Sequence, residues 1–85
     1  MFYAYILYSA TLGRFYVGQT EDLANRLKEH GQGRGIYTQQ TSDWIVVYSE
    51  MCISRADAVL LEKKIKARGA GRFLADKGVV PPKAG

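Results

Sequence analysis

Two short segments rich in aromatic and branched side chains restrict the fold of this chain most. Residues 2–8 and residues 14–18 both have the composition of β-strands, and only five residues separate them. So short a connection joins strands in an antiparallel hairpin, because a parallel pair needs a crossover of about a dozen residues. The sequence therefore predicts a hairpin at the start of an antiparallel sheet.

Side chains alternate between the two faces of a strand, and this alternation places the tyrosines of the predicted hairpin. Tyr5 shares one face of the first strand with Tyr3 and Leu7. Tyr16 and Gly18 share one face of the second strand. Where the register allows it, we expect Tyr5 and Tyr16 to lie on the same face of the sheet.

The next segment has the pattern of a short helix that ends in a loop. Thr20 can cap the first turn, two leucines spaced four apart form the apolar stripe, and Gly31 ends the helix. Arg26 and His30 are also four residues apart, so they lie one above the other, beside the leucines. The glycine-rich residues 31–42 predict a loop.

Apolar patterns predict one more strand and two more helices. Residues 44–48 form an unbroken apolar run, which favours a strand covered on both faces and lying in the centre of the sheet. Ser54 can cap a long helix over about 55–68, and a shorter helix is expected over about 71–77.

The size and composition of the chain indicate one small globular domain. The chain has 85 residues, of which 47% are hydrophobic and 24% charged, so disorder is disfavoured. We expect residues 1–77 to form a single domain, and residues 78–85, which hold both prolines, to form a flexible tail. The apolar start is too short for a membrane span, and no secretion signal is evident. The lone Cys52 excludes an internal disulfide, and a reducing cytoplasmic compartment fits best.

The charge of the chain favours a polyanionic partner such as DNA. The formal net charge is +4 and the sequence pI is about 9.4. Five basic residues lie within ten: Lys63, Lys64, Lys66, Arg68 and Arg72. A solvated helix face without any partner is the alternative interpretation of this cluster. Arg34, in the predicted loop, is a further candidate for contact with phosphates.

Five polar residues lie where packing alone would favour apolar ones. They are Tyr5, Tyr16, Arg26, His30 and Glu62. Phosphodiester hydrolysis needs a base for the attacking water, positive charge for the phosphate and a carboxylate to hold a metal ion. Each residue alone also has a structural interpretation: Glu62, for example, can pair with Lys66 four residues further on.

The order of these residues resembles the GIY-YIG nuclease superfamily, in its small stand-alone single-domain branch. Residues 3–5 (Tyr-Ala-Tyr) and 16–18 (Tyr-Val-Gly) look like the paired signature, and Arg26, His30 and Glu62 follow in the order of the family. The likeness extends from about Phe2 to Asp76. Tyr37 falls in a segment that also looks like this branch, and we include it among the candidates for DNA contact.

The resemblance implies an α/β (α+β) fold, in which helices flank a three-stranded antiparallel sheet with the active site on one face. By this analogy Tyr5 is the general base and Tyr16 positions the attacking water. Arg26 steadies the phosphate, and His30 supports proton transfer or phosphate binding. Gly18 permits close approach to the backbone.

By the same analogy Glu62 holds one Mg²⁺ or Mn²⁺ ion in a DNA endonuclease that hydrolyses phosphodiester bonds. A chain this short leaves no room for an appended recognition domain, so we expect weak sequence specificity and selectivity for DNA structure. Many nucleases of the family have an Asn after the metal-binding Glu, whereas the only Asn here is Asn25. That difference favours an alternative, a catalytically weak DNA-binding module that retains the fold. A small interaction domain with no nucleic-acid role is the third hypothesis.

Overall fold

The computed structural model describes residues 1–31 and 43–80 of the chain. Within these residues three strands and three helices follow one another in the order β1 (Phe2–Ser9), β2 (Arg14–Thr20), α1 (Leu23–Gly31), β3 (Ile45–Cys52), α2 (Arg55–Arg68) and α3 (Ala70–Asp76). Both strand pairings are antiparallel, so the predicted three-stranded antiparallel sheet with helices is confirmed. The loop predicted from residue 32 onward and the last five residues of the predicted tail lie outside the described residues.

The central strand of the sheet is β1, and the prediction that residues 44–48 form the central strand is wrong. The order is β2-β1-β3, so β3 lies at an edge. Four consecutive residues of β1, at positions 4–7, are buried, as expected for a strand that has a neighbouring strand on both sides. In β3, by contrast, Ile45 is 44% exposed and Met51 is 58% exposed. The apolar run of β3 therefore reflects only partial burial.

The register of the hairpin confirms the expected placement of the tyrosines. Tyr5 of β1 lies opposite Gly18 of β2, and Leu7 lies opposite Tyr16. Because alternate residues share a face, Tyr5, Tyr16 and Gly18 lie on the same face of the sheet. The turn between the strands contains Gly13 with a φ of 61°, a left-handed conformation that favours glycine.

Asp43 fastens the hairpin turn to the chain segment that leads into β3. Its carboxylate accepts a hydrogen bond of 2.6 Å from the hydroxyl of Ser9, which is fully buried. It also accepts bonds from the backbone N–H and the hydroxyl of Thr11, at 2.9 and 2.8 Å. A buried hydroxyl is costly unless it is hydrogen-bonded, so this network satisfies Ser9 and fixes the turn.

The cap of α1 differs from the expectation, because β2 continues further than predicted. Strand β2 ends at Thr20, which therefore cannot cap a helix that begins at Leu23. The carboxylate of Asp22 accepts a 3.0 Å bond from the backbone N–H of Asn25 and caps the helix instead. Thr20 accepts a bond from the backbone N–H of Asp22 and stabilises the connection. Gly31 is the last residue of α1 within the described range, so its role in ending the helix stays a prediction.

Helices α2 and α3 pack together on one face of the sheet. Ile65 of α2 and Phe73 and Leu74 of α3 form the buried core with Ala4 and Ile6 of β1. Both helices agree with the predicted segments, and Ser54 caps α2 through a 3.1 Å bond from the backbone N–H of Asp57.

The two sheet faces therefore have different roles. Ala4 and Ile6 point to the face that α2 and α3 cover. Since side chains alternate along a strand, Tyr5 points to the opposite face, as does its neighbour Tyr16.

Candidate active site

Two tyrosines from neighbouring strands form the best-defined part of the predicted site. The ring centroids of Tyr5 and Tyr16 are 6.3 Å apart, with an angle of 33° between the ring planes. Tyr5 is only 1% exposed, whereas Tyr16 is half-buried. The hairpin thus holds two phenol rings side by side with little freedom to move, which is the preorganisation that a catalytic group requires.

Gly18 makes room for the hydroxyl of Tyr5. A Cβ atom at position 18 would lie 2.6 Å from the Tyr5 Oη atom and 2.8 Å from its Cζ atom. It would also lie 3.2 Å from the ring of Tyr16. Real Cβ atoms do not approach other atoms at such distances, so any other residue here would displace the tyrosine. The close approach at Gly18 is therefore made by the side chain of Tyr5.

Helix α1 carries two further predicted site residues. Arg26 is exposed, and its backbone N–H donates a 3.0 Å bond to the carbonyl of Asp22 in the first turn. His30 belongs to the last turn of the same helix, and its side chain lies outside the described part of the structure. Arg34 and Tyr37, predicted to contact DNA, also lie outside the described residues. Their proposed roles stay predictions.

Glu62 lies on the side of α2 that borders the core. Its side chain is 20% exposed, and its carboxylate forms a 2.9 Å ion pair with the ammonium group of Lys66. The helix lies on the sheet face opposite the two tyrosine rings. Helix α2 also contacts β2, the edge strand that carries Tyr16. The convergence of all five residues in one cleft stays a prediction.

The donor set matches a metal ion that is held mainly by water and substrate. Among residues 1–31 and 43–80, no three acidic, histidine or cysteine side chains cluster closely enough to hold a metal ion. Mg²⁺ commonly binds through one or two carboxylates, and it keeps several waters and the phosphate oxygens of a substrate. A single carboxylate at Glu62 fits that mode of binding and does not fit an all-protein cage.

The basic residues predicted to contact DNA differ in their partners. Lys63, Lys64 and Arg72 are exposed, while Lys66 is paired with Glu62. Arg68 donates two bonds to Asp76 of α3, at 2.9 and 3.1 Å. This pairing lowers the pKa of the Asp76 carboxyl and raises that of the guanidinium.

The sequence pattern did not identify two features of this region. The bond between Arg68 and Asp76 spans the break between helices at Gly69, so its spacing has no local signature. Gln19, on the face of β2 that α2 covers, has a buried amide oxygen without a hydrogen-bond partner among the described residues.

A comparison with protein families identifies the class of this protein. Residues 1–70 match the model of the GIY-YIG catalytic domain. The match covers most of the 85 residues, and the chain belongs to the GIY-YIG family. GIY-YIG domains are generally nucleases, with DNA as the substrate and divalent metal ions as the typical cofactors.

The other comparisons gave no relatives to set beside this family. Neither the search of curated proteins nor the search of solved structures found a match. In the described part of the chain, no helix is long and apolar enough to cross a membrane.

Proposed function

We propose that this protein is a metal-dependent endonuclease that hydrolyses the phosphodiester bonds of DNA, with weak sequence specificity and selectivity for DNA structure. The observation that carries the proposal is the pair of Tyr5 and Tyr16, held together over Gly18. Packing alone can be satisfied by many residues at these positions. A glycine placed directly beneath a tyrosine hydroxyl favours a role for that hydroxyl.

Tyr5 is the general base in this proposal, and Tyr16 positions the attacking water. A free tyrosine has a pKa of about 10, so only about one in a thousand is ionised at neutral pH. Positive charge from Arg26 would favour the ionised phenolate. The proposed enzyme should therefore work faster at alkaline pH than at pH 7.

Arg26 and Glu62 act on the phosphate and on the metal ion in the same proposal. Arg26 is exposed, so it can contact a phosphate that approaches the sheet face, and its charge opposes the negative charge of the transition state. Glu62 would hold Mg²⁺ or Mn²⁺, which supplies Lewis-acid polarisation of the phosphate when it is bound. In the structure this carboxylate is paired with Lys66, which is therefore a competing cation at the proposed metal site.

The ion pair between Glu62 and Lys66 favours one alternative, a DNA-binding module with weak catalytic activity. The ammonium group lies 2.9 Å from the carboxylate that would hold the metal ion. A metal ion must displace this partner or share the carboxylate with it, because both are cations. The lack of an Asn after Glu62 favours the same alternative.

A plasmid-nicking assay distinguishes the two functions. The purified protein is incubated with supercoiled DNA in Mg²⁺, in Mn²⁺ and in a chelator. If the protein is a nuclease, nicking should occur in Mg²⁺ or Mn²⁺ and should be absent in the chelator. The Lys66→Gln variant should reach half-maximal activity at a lower metal concentration, because the competing cation is gone. Binding of DNA without nicking, in every metal and up to alkaline pH, would establish the DNA-binding module instead.

A further inference from the structure

The positive charge of this protein is concentrated in one segment of the chain. Residues 63–77 contain six basic side chains and one acidic side chain, a net charge of +5, whereas the whole chain carries +4. The remainder is slightly acidic, with six basic and seven acidic side chains. A polyanion that approaches the protein is therefore attracted mainly to this segment.

The segment forms the second half of α2 and all of α3, and its basic side chains point to solvent. Ile65, Phe73 and Leu74 hold these helices against the sheet. Lys66 is paired with Glu62, and the other exposed basic residues of the segment are Lys63, Lys64, Arg68, Arg72 and Lys77. We refer to the surface formed by these five residues as the α2–α3 basic surface.

A recess between the two helices lies within this surface. Its volume is about 290 Å³, and its lining residues are Lys64, Arg68, Phe73, Asp76 and Lys77. The two bonds from Arg68 to Asp76 hold the helices together at this recess. Within the described residues, neither Lys64 nor Lys77 takes part in an ion pair. The ammonium group of Lys77 lies over the ring of Phe73, 5.5 Å from its centroid, and like that of Lys64 it can still donate hydrogen bonds to phosphate oxygens.

The α2–α3 basic surface and the tyrosine pair lie on opposite sides of the sheet. The helices cover the face of β1 that carries Ala4 and Ile6, and their basic residues point away from it. Tyr5 and Tyr16 lie on the other face. A straight duplex that lies against the tyrosine face therefore cannot also lie along the outer side of α2 and α3.

We propose that the α2–α3 basic surface is a second DNA-binding surface, which holds the phosphate backbone of a DNA segment other than the one being cleaved. The proposal rests on the proposed nuclease function, since it takes the tyrosine face as the first DNA-binding surface. It also specifies the selectivity for structure. DNA in which two duplex segments meet, as in a four-way junction, can contact both faces of one protein molecule.

The stoichiometry of binding tests this directly. Short linear duplexes are titrated with the full-length protein in a chelator, so that no cleavage occurs. The wild-type chain should bind two duplexes, and Lys64→Gln/Lys77→Gln should bind one. The wild type should bind a four-way junction with an affinity about a hundredfold or more above its affinity for a linear duplex, because the second contact is intramolecular. The double variant should lose at least tenfold of that preference.

The salt dependence and two further variants complete the test. In the double variant the slope of log affinity for the junction against log salt should fall by about 0.9 for each lost phosphate contact. Arg55→Gln removes positive charge outside the segment and away from the tyrosine face, and should still bind two duplexes. Asp76→Asn removes the acidic side chain of the recess and should tighten binding of the second duplex. Circular dichroism checks that all variants are folded.

Three results would overturn the proposal. The first is a wild-type chain that saturates with one duplex, and the second is an equal loss of the second duplex in the control variant. The third is competition by poly-glutamate, which displaces junction DNA at an equal concentration of charge. That result would indicate that the surface binds an acidic protein. An active nuclease that binds one duplex overturns this proposal alone. Binding of two duplexes without cleavage in metal overturns only the nuclease proposal.

Discussion

The two faces of the sheet present different chemistry, although they share the same three strands. One face holds two phenol rings over a glycine, and its geometry is set by the register of a single hairpin. The other face is covered by two helices, and its outer side carries most of the positive charge of the protein. Short-range pairing thus determines the tyrosine face, whereas tertiary packing determines where the basic side chains lie. The predictions below test whether catalysis belongs to the first face and DNA retention to both.

The largest effect is expected from removing the predicted metal ligand. Glu62→Ala should abolish metal-dependent cleavage while DNA binding persists or tightens, because negative charge near the phosphate is lost. The domain should stay folded, since Lys66, the ion-pair partner of this carboxylate among the described residues, is itself exposed. Nicking rate, DNA affinity and thermal melting are measured on the purified variant. Glu50→Gln on β3 is the control and should cleave normally. Equal nicking by wild type and Glu62→Ala would indicate a contaminating nuclease or a different site.

The next largest effect separates the two faces of β1. Tyr5→Phe keeps the ring but deletes the hydroxyl, and cleavage should slow by about a hundredfold or more. Tyr8→Phe makes the same change on the opposite face, where the ring of Tyr8 lies 5.0 Å from that of Phe15. This control should cleave at the wild-type rate. Single-turnover rates and DNA affinity are measured for both variants. The DNA affinity should change little in either of them.

A pair of glycine substitutions compares packing on the two faces. Gly18→Ala places a Cβ atom 2.6 Å from the Tyr5 hydroxyl and should destabilise the protein by about 1–3 kcal/mol. Gly71→Ala places one 3.6 Å from the ring of Phe15, which is an ordinary contact. Because alanine favours a helix over glycine, Gly71→Ala should stabilise the protein by up to about 1 kcal/mol. Urea denaturation measures both changes, and a tolerated Gly18→Ala would show that the tyrosine is not held in place.

The smallest effect concerns the stability of the helix-covered face at high pH. Burial, followed by the 2.5 Å bond to Glu50, raises the pKa of Tyr48 to about 12. Its ordinary pKa is about 10, so its neutral form is favoured in the folded state. The resulting contribution to the free energy of unfolding is complete below a pH of about 10 and is lost as the pH rises toward 12. Tyr48→Phe should lose less stability than the wild type at alkaline pH. The melting temperatures of both proteins are measured at pH 9 and at about 11.5, and the decrease should be smaller for the variant. An equal decrease in melting temperature for the two proteins would contradict this role of Tyr48.

The sequence predicted the local features of the fold better than the order of the strands. The same-face placement of Tyr5 and Tyr16 follows from alternation within one hairpin, so it needs no tertiary information. The position of β3 at an edge of the sheet does not follow from local alternation, because strand order depends on which strands pair across the whole chain. The apolar run at residues 44–48 therefore indicated a strand correctly but misplaced it.

The site shows the same division between local and tertiary information. The ion pair of Glu62 with Lys66 could be predicted because it follows helical spacing. The bond from Arg68 to Asp76 depends on how α3 turns back from α2 at Gly69, which no local pattern specifies. The cap at Asp22 was missed because β2 extends to Thr20, and strand ends depend on pairing with β1.

The most direct test of the central claim is the pH dependence of DNA cleavage by wild type and Tyr5→Phe in Mg²⁺. If Tyr5 is the general base, the wild-type rate should rise from pH 7 toward a pH of about 10, as more of the phenol ionises. Tyr5→Phe should be slow throughout and should lack this rise, while Tyr8→Phe should follow the wild type. A Tyr5→Phe variant with the rate and the pH profile of the wild type would contradict the account.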